Sequence, residues 1–298
     1  MRYFLLIPHL KLHNANAMSS PYTIGFPAMT AWLGAVHALQ RKLQAKALDV
    51  ALTKVAVSCH EFNLQTYKGQ GDFVHSIIGT ANPLDKDGSR PAFIEEARCH
   101  LEVSLLIEIE NLSIKKREQL LEMVTDLVGS MKFASGDVIA VKKCQVIDFD
   151  EDESQDKELR PILKKLMLGH VLIERRDLII ESMNQGKDAL DSVLDYLKVT
   201  HSSTIDEYDK VTWTSKRKAE GWLIPIAVGF QGISELGRAK NQRDANTPHR
   251  FAESVLTLGE FVMPYRIEHI DQLLWQYHVD LENKLYLCQN VSTIEMKN

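Results

Sequence analysis

The chain has 298 residues, 45% of them apolar and 25% charged, with a formal net charge of −5. This is the composition of a folded protein, long enough for one elaborated domain or two small ones, and it excludes a chain disordered throughout. The negative total excludes a protein that holds nucleic acid through its whole surface, and apolar runs such as 222–230 fall short of the roughly 18 to 20 residues a membrane helix needs.

The opening MRYFLLIPHLKLHN has the positive residue and short apolar run of a signal peptide, yet Pro8, His9 and Lys11 interrupt it and no small-residue cleavage site follows. Residues 2–13 read as the first strand of a cytoplasmic protein. A polar loop follows over 14–26. There Asn14, Asn16, Ser19, Ser20, Tyr22 and Thr23 supply donors, acceptors and one aromatic face without an acid, while Gly25 and Pro27 steer the backbone into a helix. That helix spans about 28–45, with Met29, Trp32, Leu33, Val36, Leu39 and Leu43 at helical spacing and Ala31, Gly34, Ala35 and Ala38 permitting close approach to a sheet.

Residues 50–62 form a second strand, with Val55, Val57 and Cys59 on one face. The clearest strand comes next, where Cys99, Leu101, Val103, Leu105, Ile107 and Ile109 alternate with His100, Glu102, Ser104, Glu108 and Glu110. Between these two, residues 63–96 carry Gly69, Gly71, Gly79, Asn82-Pro83 and Gly88; this is too long for a hairpin turn and reads as an inserted lobe or flap. An amphipathic helix over 114–132 and a strand near 138–146 complete a β-α-β-β-α-β order. The fold class expected is α+β, with a ferredoxin-like or RRM-like head over 1–147.

Between Asp148 and Glu158 seven acids face one base, Lys157, whereas from Lys216 to Arg250 seven bases oppose three acids. A solvated acidic linker thus hides a basic segment behind a negative total. The linker opens a helical lobe over 148–220, with helices at 158–168 and 176–199. Residues 221–298 form a C-terminal region packing on the head: a buried strand at GWLIPIAVGFQG, a basic loop, helices at 248–261 and 268–277, and a strand at 285–288. Outside the head the chain is expected to be mainly helical.

Cys59, Cys99, Cys144 and Cys288 are too scattered for a disulfide framework and fit a reducing compartment. The dipeptides Cys59-His60 and Cys99-His100 suggest metal, but on a strand adjacent side chains point to opposite faces, so neither can close on one ion. No metal and no cofactor is expected. The P-loop, GxGxxG, GxSxG and HExxH patterns are all missing. His100 beside Glu102, on one face at i and i+2, is the best general acid-base candidate, with Ser19 or Ser104 as conceivable nucleophiles.

Many β-α-β-β-α-β domains stack RNA bases on aromatics of their central strands, but here that face offers carboxylates, which repel phosphate. RNA would have to be held by loops. In the first, Asn14 and Asn16 alternate with alanines, so an extended backbone projects both amides to one side, with Ser19, Ser20 and Tyr22 beyond and the start of a helix adding free N–H groups. In the second, RAKNQRDANTPHR, Arg238, Lys240, Arg243 and Arg250 are candidate phosphate partners, with Asn241, Asn246 and His249 between them. The alternatives are a well-capped structural turn for the first and a solvated face for the second.

The segments NANAMSSPYTIGFPAMTAWLGAVHALQRKL, EEARCHLEVSLL, GWLIPIAVGF, NQRDANTPHRFAESVLTLGEF and DQLLWQYH, in this order, resemble the family of second subunits of the type I-F CRISPR surveillance complex, the Csy complex. The FPxxxAWLG stretch is also similar to the wider RAMP superfamily of CRISPR backbone proteins. The resemblance implies a non-catalytic subunit with an RRM-like head that holds the 5′ handle of the guide RNA (crRNA). Its implied partners are the large subunit and the crRNA-coating backbone subunit, with target DNA near its flanking motif a further one. It carries Asn14, Asn16, Ser19 and Ser20 over as handle contacts and Arg243 and Arg250 as guide-phosphate contacts. Two rivals remain: a metal-independent ribonuclease of RAMP type using His100 or another histidine, and a protein adaptor that does not touch RNA.

Overall fold

Alternating apolar residues make three long strands and set them side by side. The computed structural model describes residues 1–80, 84, 86–89, 96–151, 155–240, 242, 244 and 246–290. Strand β1 (Arg2–Asn16) leads through helix α1 (Met29–Ala45) to β2 (Ala51–Leu64), and β3 (Glu96–Glu110) leads through α2 (Arg117–Val128) to β4 (Gly136–Ala140) and β5 (Gln145–Phe149). Every pairing is antiparallel. β3 lies between β2 and β1, while β4 and β5 share the other edge of β1. One face of this sheet carries Leu5, Ile7, Leu12, Val57, Val103 and Ile107 against Trp32, Val36, Leu39 and Leu43 of α1 and Leu120, Val124 and Val128 of α2. Each such side chain contributes roughly 1.5–3 kcal/mol on full burial.

The rest of the chain covers half of the opposite face. Helix α3 (Gln155–Leu166) and the segment around Ile267–Leu274 cover Phe4, Leu6, Ala56 and Leu106. Beyond α3 come β6 (His170–Glu174), α4 (Arg176–Asn184), α5 (Ala189–Leu197) and an exposed hairpin of β7 (Thr200–Ile205) and β8 (Val211–Lys216). Then β9 (Trp222–Gly232), β10 (Ala252–Val262), β11 (Trp275–Asp280) and β12 (Leu285–Asn290) run in the order β6-β10-β9-β12-β11. Both end strands of that series meet the free edge of β2, β6 at Ser58 and Cys59 and β11 at Val55. The five strands therefore curl back on themselves, and the fully buried Trp275 donates from Nε1 to the Leu172 carbonyl at 2.9 Å.

The α+β class is as expected, with several corrections. Residues 252–262 are strand, not the helix expected over 248–261: β9 and β6 pair with both edges of β10, and that pairing outweighs the helix-like spacing of Val255, Leu258 and Phe261. The helix expected at 268–277 is a single 3-10 turn, Ile270–Gln272, followed by β11. The C-terminal region is thus mainly strand. The helix expected over 176–199 is two helices, split where Gly186 takes φ +91° and Asp188 caps α5 by accepting from the Asp191 N–H. The strand expected at 138–146 is β4 and β5, separated where the Lys142 N–H reaches the Pro8 carbonyl.

The supposed acidic linker is anchored at its start, since Asp148 pairs with Arg117 and Glu151 with Arg2. Residues 152–154 lie outside the described residues. In the insertion, two short ladders are described, Thr66–Tyr67 with Ser76–Ile77 and Gly79–Thr80 with β3.

Candidate nucleic-acid interface

Where α3 ends, the second face of the sheet stays open and becomes polar. Two irregularities in β1 shape it. Register shifts between Ile7 and Leu10 and between Leu12 and Ala15 accompany positive φ at His9 (50°) and Asn14 (59°). Bulges of this kind re-aim side chains, and here they bring β1 imidazoles over imidazoles of β2 and β3. The His9 and His60 rings stack with centroids 4.4 Å apart, and so do His13 and His100. His9 Nδ1 lies 2.5 Å from Glu102 Oε1, His60 Nε2 lies 2.7 Å from Ser104 Oγ, and Lys11 Nζ is 3.2 Å from Glu102 Oε2.

Partial burial works against ionisation of Glu102, but His9 and Lys11 hold its carboxyl below the usual range. Burial, then the neighbouring His9, pushes the His60 imidazole down. The sequence suggested a carboxylate-lined face, and the structure revises this. Glu108 is 6% exposed and lies between Arg2, at 2.6 Å, and Lys54, at 2.8 Å, so its charge is matched inside the covered half. What remains open is lined by four imidazoles, Lys11 and Glu102, whose charge His9 and Lys11 match, with Glu61 in register beside Glu102. Sequence reading found only His100 of the four, because His9, His13 and His60 come from other strands and meet it only through the register.

Asn14 and Asn16 belong to β1, not to a loop, and positive φ at Asn14 breaks the alternation that would have matched their amides. Asn14 Oδ1 accepts from Gln65 Nε2 at 3.2 Å, its N–H donates to His100 Nδ1 at 3.2 Å, and Asn16 Oδ1 accepts from the Met18 N–H at 2.9 Å. Beyond them, Ser19 and Ser20 both reach Thr23 Oγ1, at 2.8 and 2.9 Å, and Ser20 is buried. These two hydroxyls therefore hold the turn. Tyr22 is 65% exposed and looks outward. The first residue of α1, Met29, is buried, and the helix start has neither a side-chain cap nor an acid in its first turn.

Tyr22 lines a cleft of about 390 Å³ with Leu190 and Val193 of α5, Gln231 of β9, and Glu253 and Val255 of β10. Gln231 and Glu253 are cross-strand partners at the base of the β9–β10 hairpin that carries the basic loop, so Tyr22 stands beside that base, while none of the described residues of 238–250 lines the cleft itself. In that loop Arg238 and Lys240 are exposed, while Asn241 and Arg243 lie outside the described residues. Gly237 pairs with His249, whose ring stands edge-on to Phe251 at 4.8 Å, and the half-buried Arg250 packs over Gly232. Gln242 and Asp244 organise the tip, Asp244 accepting from the Asn246 N–H and Thr247 Oγ1.

All four cysteines are buried free thiols, and burial pushes those of Cys59, Cys99 and Cys288 up to about 12. In both Cys-His pairs the thiol enters the core while the imidazole joins the open face. Among the described residues no group of three or more His, Cys, Asp or Glu could hold a metal ion, and no helix is long and apolar enough to cross a membrane.

Compared with known proteins, residues 5–288 match the family model described as CRISPR-associated protein (Cas_Csy2). The chain belongs to the Csy2 family of CRISPR-associated proteins. One relative is the CRISPR-associated protein Csy2 of Pseudomonas aeruginosa strain UCBPP-PA14, 33% identical over 307 aligned positions that cover 95% of this chain and 93% of that one. The Csy2 match spans both candidate segments and the imidazole-lined face, so all three belong to the family domain and not to an appended one.

Proposed function

We propose that this Csy2-family chain is a non-catalytic structural subunit of a type I-F CRISPR surveillance complex, holding the 5′ handle of the guide RNA. In this reading it pairs with the large subunit, abuts the first crRNA-coating backbone subunit and lies within reach of target DNA near its flanking motif, in the cytoplasm. The strand order β2-β3-β1-β4, with α1 and α2 on one face, supports treating the head as ferredoxin-like and RRM-like. The observation that carries RNA binding is the Tyr22 cleft: an exposed aromatic ring stands at the base of the β9–β10 hairpin, whose loop bears Arg238, Lys240 and Arg250. An aromatic face supports base stacking, and the cations of the loop, outside the cleft, suit phosphates farther along the same strand. Asn14, Asn16, Ser19 and Ser20 enter this reading unequally. Asn14 faces the open surface, whereas Asn16 and the serines shape the backbone that presents Tyr22.

The test is a crosslinking map of guide RNA within a reconstituted complex. Crosslinks at Tyr22 and the 238–250 loop are expected; a map that leaves this chain untouched would leave a protein adaptor as the better reading. One observation favours a second reading. Imidazoles stacked beside Ser104 and Glu102 are groups a metal-independent ribonuclease could use. Incubating the chain with a repeat-containing transcript in chelator separates the two, since a specific product lost on His9→Ala or His100→Ala would establish the ribonuclease.

A further inference from the structure

The geometry points to a phosphodiester subsite on the open sheet face, made by His13, His100 and Asn14, that takes up one proton as it binds RNA. The inference rests on the guide-holding reading but uses a different surface from the Tyr22 cleft. His13 and His100 stack at 4.4 Å with ring planes 20° apart, His13 exposed and His100 half-buried. The Asn14 N–H donates to His100 Nδ1 at 3.2 Å and Gln65 Nε2 lies 3.4 Å from His100 Nε2, so a donor stands at each ring nitrogen and His100 is the poorer proton acceptor of the pair. A second cation directly above a protonated ring would be repelled; a neutral ring is a favourable floor. The proton therefore goes to His13, and the Asn14 amide, whose Oδ1 already accepts from Gln65, keeps its N–H groups for an incoming oxygen.

The surrounding charges favour an anion here. From β1 comes Lys11; from β3 come Arg98, 19% exposed at its side chain and paired with Glu96, and Glu102, matched by His9 and Lys11. From β2 come His60 and Gln65, with Glu61 in register with Glu102. From β4 comes Asp137, which acts on His13 but is itself held by Lys132 at 2.6 Å. Lys142 follows β4 and acts on His60. Every acid facing His13 or Glu102 across the patch thus has its own cation except Glu61, and His13 is the exposed imidazole of the four, the one most open to a ligand. Imidazole titrates near neutrality, so the binding of phosphate and of a proton are linked.

The experiment is calorimetric titration of the full chain with a repeat-derived RNA oligonucleotide, in buffers of different ionisation enthalpy and from pH 6 to pH 8. Uptake of about one proton is expected, with affinity falling as pH rises, by at most about tenfold per pH unit. His13→Gln, which keeps polarity and cannot take a charge, should abolish both the uptake and the pH slope while melting like the wild type. The proposal is overturned if His13→Gln leaves uptake and slope unchanged, or if wild type binds with no uptake. Arg238→Ala with Lys240→Ala serves as the parallel arm. Weakened binding there beside an unaffected His13→Gln sinks this subsite and leaves the guide-holding reading standing, whereas RNA that binds neither chain nor complex removes both.

Discussion

At the scale of residues, Asn14 shows how one position can serve backbone and ligand together. Its φ of 59° lies in the left-handed region, which asparagine tolerates better than most residues. Asn14→Gly keeps that conformation and removes the amide, so it should melt close to wild type while losing about 0.5–1.5 kcal/mol of RNA affinity, the range of one hydrogen bond. Asn14→Ala should add a loss of stability of about 1 kcal/mol from the strained backbone. Equal RNA affinity for Asn14→Gly and wild type would remove the amide from the interface. A second residue-scale prediction concerns Asp195, where Lys187, Lys198 and Lys218 converge at 2.5, 2.5 and 2.8 Å and hold its carboxyl well below the usual range. A depressed carboxyl contributes stability above its unfolded value of about 3.9, and the contribution is lost as pH falls toward the folded value. Lys218→Met keeps the contact with the Tyr196 ring but weakens the hold on Asp195, so acid unfolding followed by circular dichroism should begin at higher pH. An unmoved midpoint would show that the lysines do not stabilise the fold.

At the scale of elements, the N-terminal half was legible because each element keeps one period over many residues. Period-two alternation marked β3 from Cys99 to Ile109, whose apolar face packs on the helices along its whole length while α3 covers the other face at Leu106, and helical spacing marked α1 from Met29 to Leu43. The stretch 248–277 was not legible. Strand β10 is paired on both edges, its middle residues Thr257 and Leu258 are buried consecutively, and Gly259 sits where a Cβ would meet Leu172 Cδ1 at 2.9 Å. A strand buried on both faces has no alternation to read. The curl of these strands depends on close approach at Gly229, where a Cβ would lie 2.0 Å from the Tyr286 carbonyl oxygen. Gly229→Ala should force β9 and β12 apart and cost about 3 kcal/mol in chemical denaturation; a wild-type midpoint would mean that the curled sheet adapts more easily than this packing implies.

At the scale of the whole molecule, charge is segregated, so the formal net charge of −5 misdescribes any one surface. The acids at 148 and 151 are matched at the surface by Arg117 and Arg2, while Arg238 and Lys240 stand exposed on a loop far along the chain. If RNA is held there, log affinity should fall linearly with log salt, by about 0.7 per phosphate neutralised on a single strand, and the Arg238→Ala, Lys240→Ala variant should flatten the slope by one to two such steps. A slope equal to that of wild type would take the loop out of the interface. The sequence by itself determined the α+β class, the apolar faces of β1, α1, β2, β3 and α2 and, through its resemblance, the Csy2 family. Those features are local periodicities or long ordered strings of residues, and both are written along the chain. Only the tertiary structure decided that the C-terminal strands curl back on to β2, that Tyr22 stands at the base of the β9–β10 hairpin, and that His9, His13, His60 and His100 share a face, because each depends on register and bulges that align residues up to 234 positions apart, from Tyr22 to Leu256.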